Sequence, residues 1–170
     1  MIVKLKLAPQ DYERAAAVGT NRRMHGKAND LRKRNNYQAS DEQKLINDIR
    51  GAIGELVVAQ YLNLEHHVFA IPERLVGSVD LPPNIDVKCP CAHNRRLIIF
   101  LDDDPNKIFV LATCVEKDVW LHGWTYGHQV MKDHFIKDPV GGRPAYFVDS
   151  HALQPMQLLK DFVADLGYTK

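Results

Sequence analysis

Asp86-Val87-Lys88 lies in a short apolar stretch about thirty residues after Glu55, an acid set among apolar neighbours. In an extended strand residues i and i+2 share a face. Asp86 and Lys88 therefore project together, while Ile85, Val87 and Cys89 project to the other side. A carboxylate and an ammonium held in this way can bind a divalent cation and handle a water molecule. With Asp80 just upstream and Glu55 behind, the set is suited to metal-assisted cleavage of a phosphodiester.

Glu55 must be positioned by a helix. Ser40 and Gln43 have capping-box spacing, and Leu45, Ile49, Ala52, Ile53, Leu56 and Val57 follow helical periodicity, which predicts a helix over 41–62. Its second half is apolar nearly all round and reads as buried. A buried carboxylate needs a partner or a wet cavity. Gly51 and Gly54 each cost about 1 kcal/mol relative to alanine in a helix. Their presence predicts close packing, most simply against a sheet.

Asp86 and Lys88 belong to a strand over 85–89, entered through a turn at Pro82-Pro83-Asn84. Further strands are expected at 1–7, 68–71, 76–81, 97–101, 108–115, 119–124 and 145–148. Helices are expected at 9–19, 126–135 and 155–166. The apolar runs either side of Asp102–Asn106 predict a hairpin, and a second hairpin closes across Glu116-Lys117-Asp118. Together these elements give an α+β (or α/β) layout around a mixed sheet. Residues 1–40 form an N-terminal strand, helix and basic segment, and 41–170 form the core of a single domain.

The chain has 170 residues, 45% hydrophobic and 25% charged, and a formal net charge of +1. These values suit one globular domain, and no apolar run is long enough to span a bilayer. Three cysteines, without an apolar export segment at the N-terminus, lead us to expect reduced thiols and a cytoplasmic protein. Net charge is uninformative, but its distribution is not. Arg22, Arg23, Lys27, Arg32, Lys33 and Arg34 cluster before the long helix and are suited to phosphate contacts, as are Arg95 and Arg96. The alternative is a solvated basic segment.

Glu on a helix, then Asp, then Asp-x-Lys on a strand resembles the PD-(D/E)XK nuclease superfamily, the restriction-endonuclease-like fold, in its small phage-type members. The likeness rests on Gly51-Ala52-Ile53-Gly54-Glu55, Val79-Asp80 and Ile85-Asp86-Val87-Lys88. It extends through 96–111 to Gly123-Trp124 and Tyr146-Phe147-Val148. The resemblance implies that Asp80 and Asp86 bind Mg²⁺, with Mn²⁺ able to substitute. The Val87 carbonyl would be a third ligand and Glu55 would complete the shell through water. Lys88 would sit beside the attacking water. It further implies a DNA substrate and leaves room for a homodimer, in a host cytoplasm if the source is viral.

Two other readings stay open. Only 81–85 separate Asp80 from Asp86, which favours a catalytically degenerate nucleic-acid-binding protein on the same fold. Cys89, Cys91 and His93 form a C-x-C-x-H string, which could instead clip a structural or assembly protein together through zinc. Asp102-Asp103-Asp104 reads first as a solvated turn and second as a group near the metal. There is no glycine-rich phosphate loop, dinucleotide fingerprint or nucleophile motif.

Overall fold

The structure is a computed structural model, and it describes residues 2–28, 39–64, 79–91, 95–139 and 141–168. The elements run β1 (Val3–Lys6), α1 (Pro9–Ala28), α2 (Asp41–Leu62), β2 (Ile85–Lys88), β3 (Arg96–Phe100), β4 (Ile108–Val115), β5 (Asp118–Tyr126), α3 (Gly127–Val130), β6 (Ile136–Lys137), β7 (Ala145–Asp149) and α4 (Met156–Asp165). The fold is α+β. Among the described residues a mixed four-stranded sheet has the order β1-β5-β4-β2, and a three-stranded antiparallel sheet has the order β3-β7-β6. The β2–β4 pair is parallel, and β4–β5 and β1–β5 are antiparallel. No helix among the described residues is long and apolar enough to cross a membrane.

Alternation along the strands of the first sheet separates two cores. Val87, Ile108, Val110, Ala112, Val119 and Leu121 pack with Ile53, Leu56 and Val57 of α2. Phe109 and Leu111 turn the opposite way and pack with Leu97, Ile99 and Val148 of the second sheet. The larger sheet is thus covered by α2 on one face and by the β3-β7-β6 sheet on the other.

The long helix starts where its signals put it. The Ser40 side chain accepts from the Gln43 N–H at 3.1 Å, and Asn63 closes the helix in the left-handed conformation. The first helix does not end at Gly19. It continues to Ala28 because Gly19 is a contact point and not a cap: a Cβ there would stand 2.5 Å from the Ile49 Cα, so the glycine lets α1 lie directly on α2. Part of the basic segment is therefore helical. The strands expected at 68–71 and over most of 76–81 lie outside the described residues.

The hairpin expected across Asp102–Asn106 does not form. The turn is present, but β3 pairs with β7, from Arg96↔Asp149 to Phe100↔Ala145, and β4 pairs with β5 and β2. Two adjacent apolar runs can serve two different sheets, and the local pattern does not say which. The second hairpin forms across Glu116, which adopts a φ of 52°. The helix expected at 126–135 is reduced to the short α3 and a 3₁₀ turn at Asp133–Phe135.

Gly54 meets β2 directly. A Cβ there would lie 2.8 Å from the Cys89 Cβ and 3.4 Å from the Val87 Cγ1. Gly51, also expected to mark close packing, has nothing within 4 Å of such a Cβ. The two positions therefore predict opposite effects. In urea denaturation, Gly51→Ala should stabilise by about 0.5–1 kcal/mol through helix propensity. Gly54→Ala should destabilise by about 1–3 kcal/mol, because overpacking against a strand side chain outweighs that gain.

Candidate metal and phosphodiester site

Among the described residues β2 is the last strand of its sheet, and the charges gather around it. The Leu81 and Ile85 backbones exchange hydrogen bonds of 2.9 and 3.1 Å, closing the tight turn over the Pro82–Pro83 peptide, which is cis. This turn accommodates the short spacing between Asp80 and Asp86. It brings the Asp80 Oδ2 back to accept the Val87 N–H at 2.5 Å. In an extended strand a residue's N–H and C=O point to the same side. The Val87 carbonyl therefore faces the same outer edge as Asp80.

Asp86 and Lys88 share the face opposite α2. The Lys88 Nζ lies 2.8 Å from the Asp86 Oδ1 and 3.4 Å from the Asp103 Oδ2. It also lies over the Phe109 and Phe100 rings, at 5.5 and 6.0 Å from their centroids. The other Asp86 oxygen, Oδ2, is 3.5 Å from the Lys107 Nζ. Burial disfavours the Lys88 ammonium, but Asp86, Asp103 and Asp80 together outweigh it and raise its pKa. Lys88 is a cation at neutral pH.

Glu55 is buried, with its side chain 7% exposed, and it pairs with Arg22. The guanidinium meets both carboxylate oxygens, Nη1 to Oε1 at 2.9 Å and Nη2 to Oε2 at 2.8 Å. This is the bidentate geometry that gives charge-assisted pairs their strength. Burial lowers the Arg22 pKa, yet Glu55, Asp80 and Asp48 outweigh it and raise the value. The Asp80 charge thus acts on both Arg22 and Lys88. Electrostatically it couples the Glu55 pair on the helix to the Asp86–Lys88 pair on the strand.

Glu55, Asp80, Asp86 and Lys88 accordingly belong to one charge network, with three members the motif did not name. Arg22 was expected at a phosphate interface and instead holds Glu55. Asp103 was expected first as a solvated turn acid. It is buried, its side chain 3% exposed, and it accepts the Phe100 N–H at 3.0 Å as well as facing Lys88. Lys107 was not singled out at all. The DDD run was the available signal for Asp103. For Lys107 the sequence offered none, since a lysine beside a turn ordinarily reads as solvated.

The remaining basic residues are dispersed. Arg23 lies 3.8 Å from Asp48, and Arg96 pairs with Asp149 at 2.8 Å. Arg95 and Arg96 line a cleft of about 700 Å³ with His151 and Ser150. That cleft is at the start of β3, the strand whose other end, Phe100, sits under Lys88. Arg32, Lys33 and Arg34, with the Lys27 side chain, lie outside the described residues.

The donor set matches what a small hard cation takes. Mg²⁺ is usually held by one or two carboxylates and keeps several waters. Asp80, Asp86 and the Val87 carbonyl are oxygen donors of that kind. Among the described residues there is no group of three His, Cys, Asp or Glu side chains arranged to hold a metal. An ion at this site therefore relies on two acids and water, with Glu55 behind, and it must compete with lysines already on Asp86. Cys89 donates to Cys114 across 3.9 Å and packs on Gly54, Cys91 is exposed, and His93 lies outside the described residues. No protein-family model, curated protein or solved structure matches this chain.

The Arg22–Glu55 pair sets a test of how the site is held. Removing one partner of a buried ion pair strands the other, at a cost of about 3–5 kcal/mol. Arg22 is partly exposed, so Arg22→Met should lie at the lower end of that range. Arg22→Met combined with Glu55→Gln should recover most of the loss. Chemical denaturation of the four proteins of this cycle measures the coupling directly.

Proposed function

We propose that this protein is a metal-dependent DNA endonuclease of the PD-(D/E)XK type. The observation that carries the reading is the gathering of charges about one strand: Asp86 and Lys88 pair on its face, Asp80 binds its Val87 N–H, and Glu55 joins the network from α2 through Arg22. The sequence motif required these residues to meet, and composition alone gives no reason for buried charges at this density.

The reaction is phosphodiester hydrolysis, in which water attacks phosphorus and a deoxyribose oxygen leaves. Asp80, Asp86 and the Val87 carbonyl would hold Mg²⁺ or Mn²⁺, with Glu55 contributing through water. The ion, when bound, lowers the pKa of water and offsets charge on the phosphate. Lys88 acts as an ammonium. It orients the attacking water by hydrogen bonding and stabilises negative charge as it builds on the phosphoryl oxygens. Asp103 holds Lys88 together with Asp86, and the Phe100 and Phe109 rings lie against its ammonium. The cleft at Arg95 and Arg96, with the basic segment after α1, offers phosphate contacts to the flanking strand, and such contacts weaken steeply with salt.

A catalytically degenerate nucleic-acid-binding protein is the second reading. It is favoured by the two lysines on Asp86, by Lys88 on Asp103 and by Arg22 on Glu55, so that these three acids each already face a cation. One experiment separates the two. Supercoiled plasmid should be nicked with Mg²⁺ or Mn²⁺ and left intact with EDTA. Lys88→Ala and Asp86→Asn should each lower the rate by about 10²-fold or more, the loss expected for a group that stabilises transition-state charge. Wild-type protein that binds DNA but leaves it uncut with either metal supports the degenerate reading.

A further inference from the structure

Lys107 is a lysine whose side chain is only 7% exposed, with its ammonium 3.5 Å from the Asp86 Oδ2. Lys88 holds the other oxygen, Oδ1, at 2.8 Å. Both oxygens of the acid assigned above to the metal therefore face cations in the protein by itself. The two lysines differ in their surroundings. Lys88 is gripped by Asp103 as well as Asp86 and lies over two aromatic rings. Lys107 is fixed through its backbone: its N–H donates to the Asp104 carbonyl at 3.1 Å and its carbonyl accepts from the Gly127 N–H at 2.9 Å. Gly127 in turn lies so close to Pro105 that a Cβ would stand 2.7 Å from the Pro105 carbonyl oxygen. The backbone of Lys107 is anchored, whereas its four-carbon stem is jointed.

We infer that Lys107 is the resident counter-ion of Asp86, that a divalent cation displaces it, and that its ammonium then binds a phosphate of the nucleic-acid substrate. This rests on the nuclease reading and deepens it. A divalent ion on Asp86 repels an ammonium a few ångströms away, more strongly in a partly buried site than in water. A substrate phosphate beside the ion provides the anion that the displaced lysine needs. The exchange keeps the acid neutralised before the ion arrives and adds a phosphate contact once ion and substrate are both present.

The test measures ion and substrate binding separately. Mn²⁺ is titrated calorimetrically into wild type, Lys107→Met, Lys107→Gln and Asp86→Asn, with circular dichroism to select the folded variants. Binding of a DNA duplex is measured in Ca²⁺. Lys107→Met and Lys107→Gln should bind Mn²⁺ about tenfold tighter than wild type, since a competing charge has gone. The same variants should bind duplex in Ca²⁺ about tenfold more weakly, the worth of one charge-assisted hydrogen bond. A merely structural ion pair would not give these opposite signs. The inference is overturned if the folded Lys107 variants bind Mn²⁺ no tighter than wild type, or if their duplex affinity in Ca²⁺ does not fall. It fails alone when Asp86→Asn abolishes Mn²⁺ binding and the Lys107 variants behave as wild type. If wild type binds no Mn²⁺, or Asp86→Asn binds it as wild type does, the metal reading of the site falls with it.

Discussion

Ionised carboxylates are buried together at great cost unless cations are buried with them. Moving a charge out of water costs several kcal/mol even after relaxation, and the cost is recovered only through close, well-oriented partners. At the edge of β2 this condition governs the local structure. Glu55 is matched by the two arms of Arg22, Asp86 by Lys88 and Lys107, and Asp103 by Lys88 and a backbone N–H. These groups come from α1, α2, β2 and the loop between β3 and β4. The ion pairs therefore tie together elements far apart in the chain.

The apolar packing serves the same end. Because side chains alternate along a strand, Val87 and Cys89 can lie against Gly54 of α2 while Asp86 and Lys88 face the second sheet. The glycine brings α2 within contact of β2, and that closeness puts Glu55, the next residue, level with the strand edge. Gly19 does the same one layer out, laying α1 on α2 so that Arg22, three residues on, can reach Glu55. Two close glycine contacts thus set the position of one ion pair.

Much of this was legible in the sequence, for reasons that can be named. The bounds of α2 follow from a cap and an unbroken periodicity, both local signals. The pairing of Asp86 with Lys88 follows from the two-residue repeat of a strand. Glu55 was conspicuous because a charge inside an apolar helix demands a partner. The identity of that partner was not legible. Arg22 lies 33 residues away on a helix whose continuation past Gly19 depends on contact with Ile49. The β3–β7 pairing joins segments nearly fifty residues apart, and local pattern favoured the nearer, incorrect partner. Asp103 and Lys107 looked like ordinary turn residues because composition cannot say which charged turn is folded inwards.

The central claim is that this knot of charges is a cation site built on Asp80 and Asp86. Its most direct test is anomalous diffraction from crystals grown with Mn²⁺. The account predicts one strong peak at the outer edge of β2, within coordination distance of the Asp80 and Asp86 carboxylates, with Lys107 turned away from Asp86. Crystals with no peak there at millimolar Mn²⁺, and both lysines still on Asp86, would contradict it.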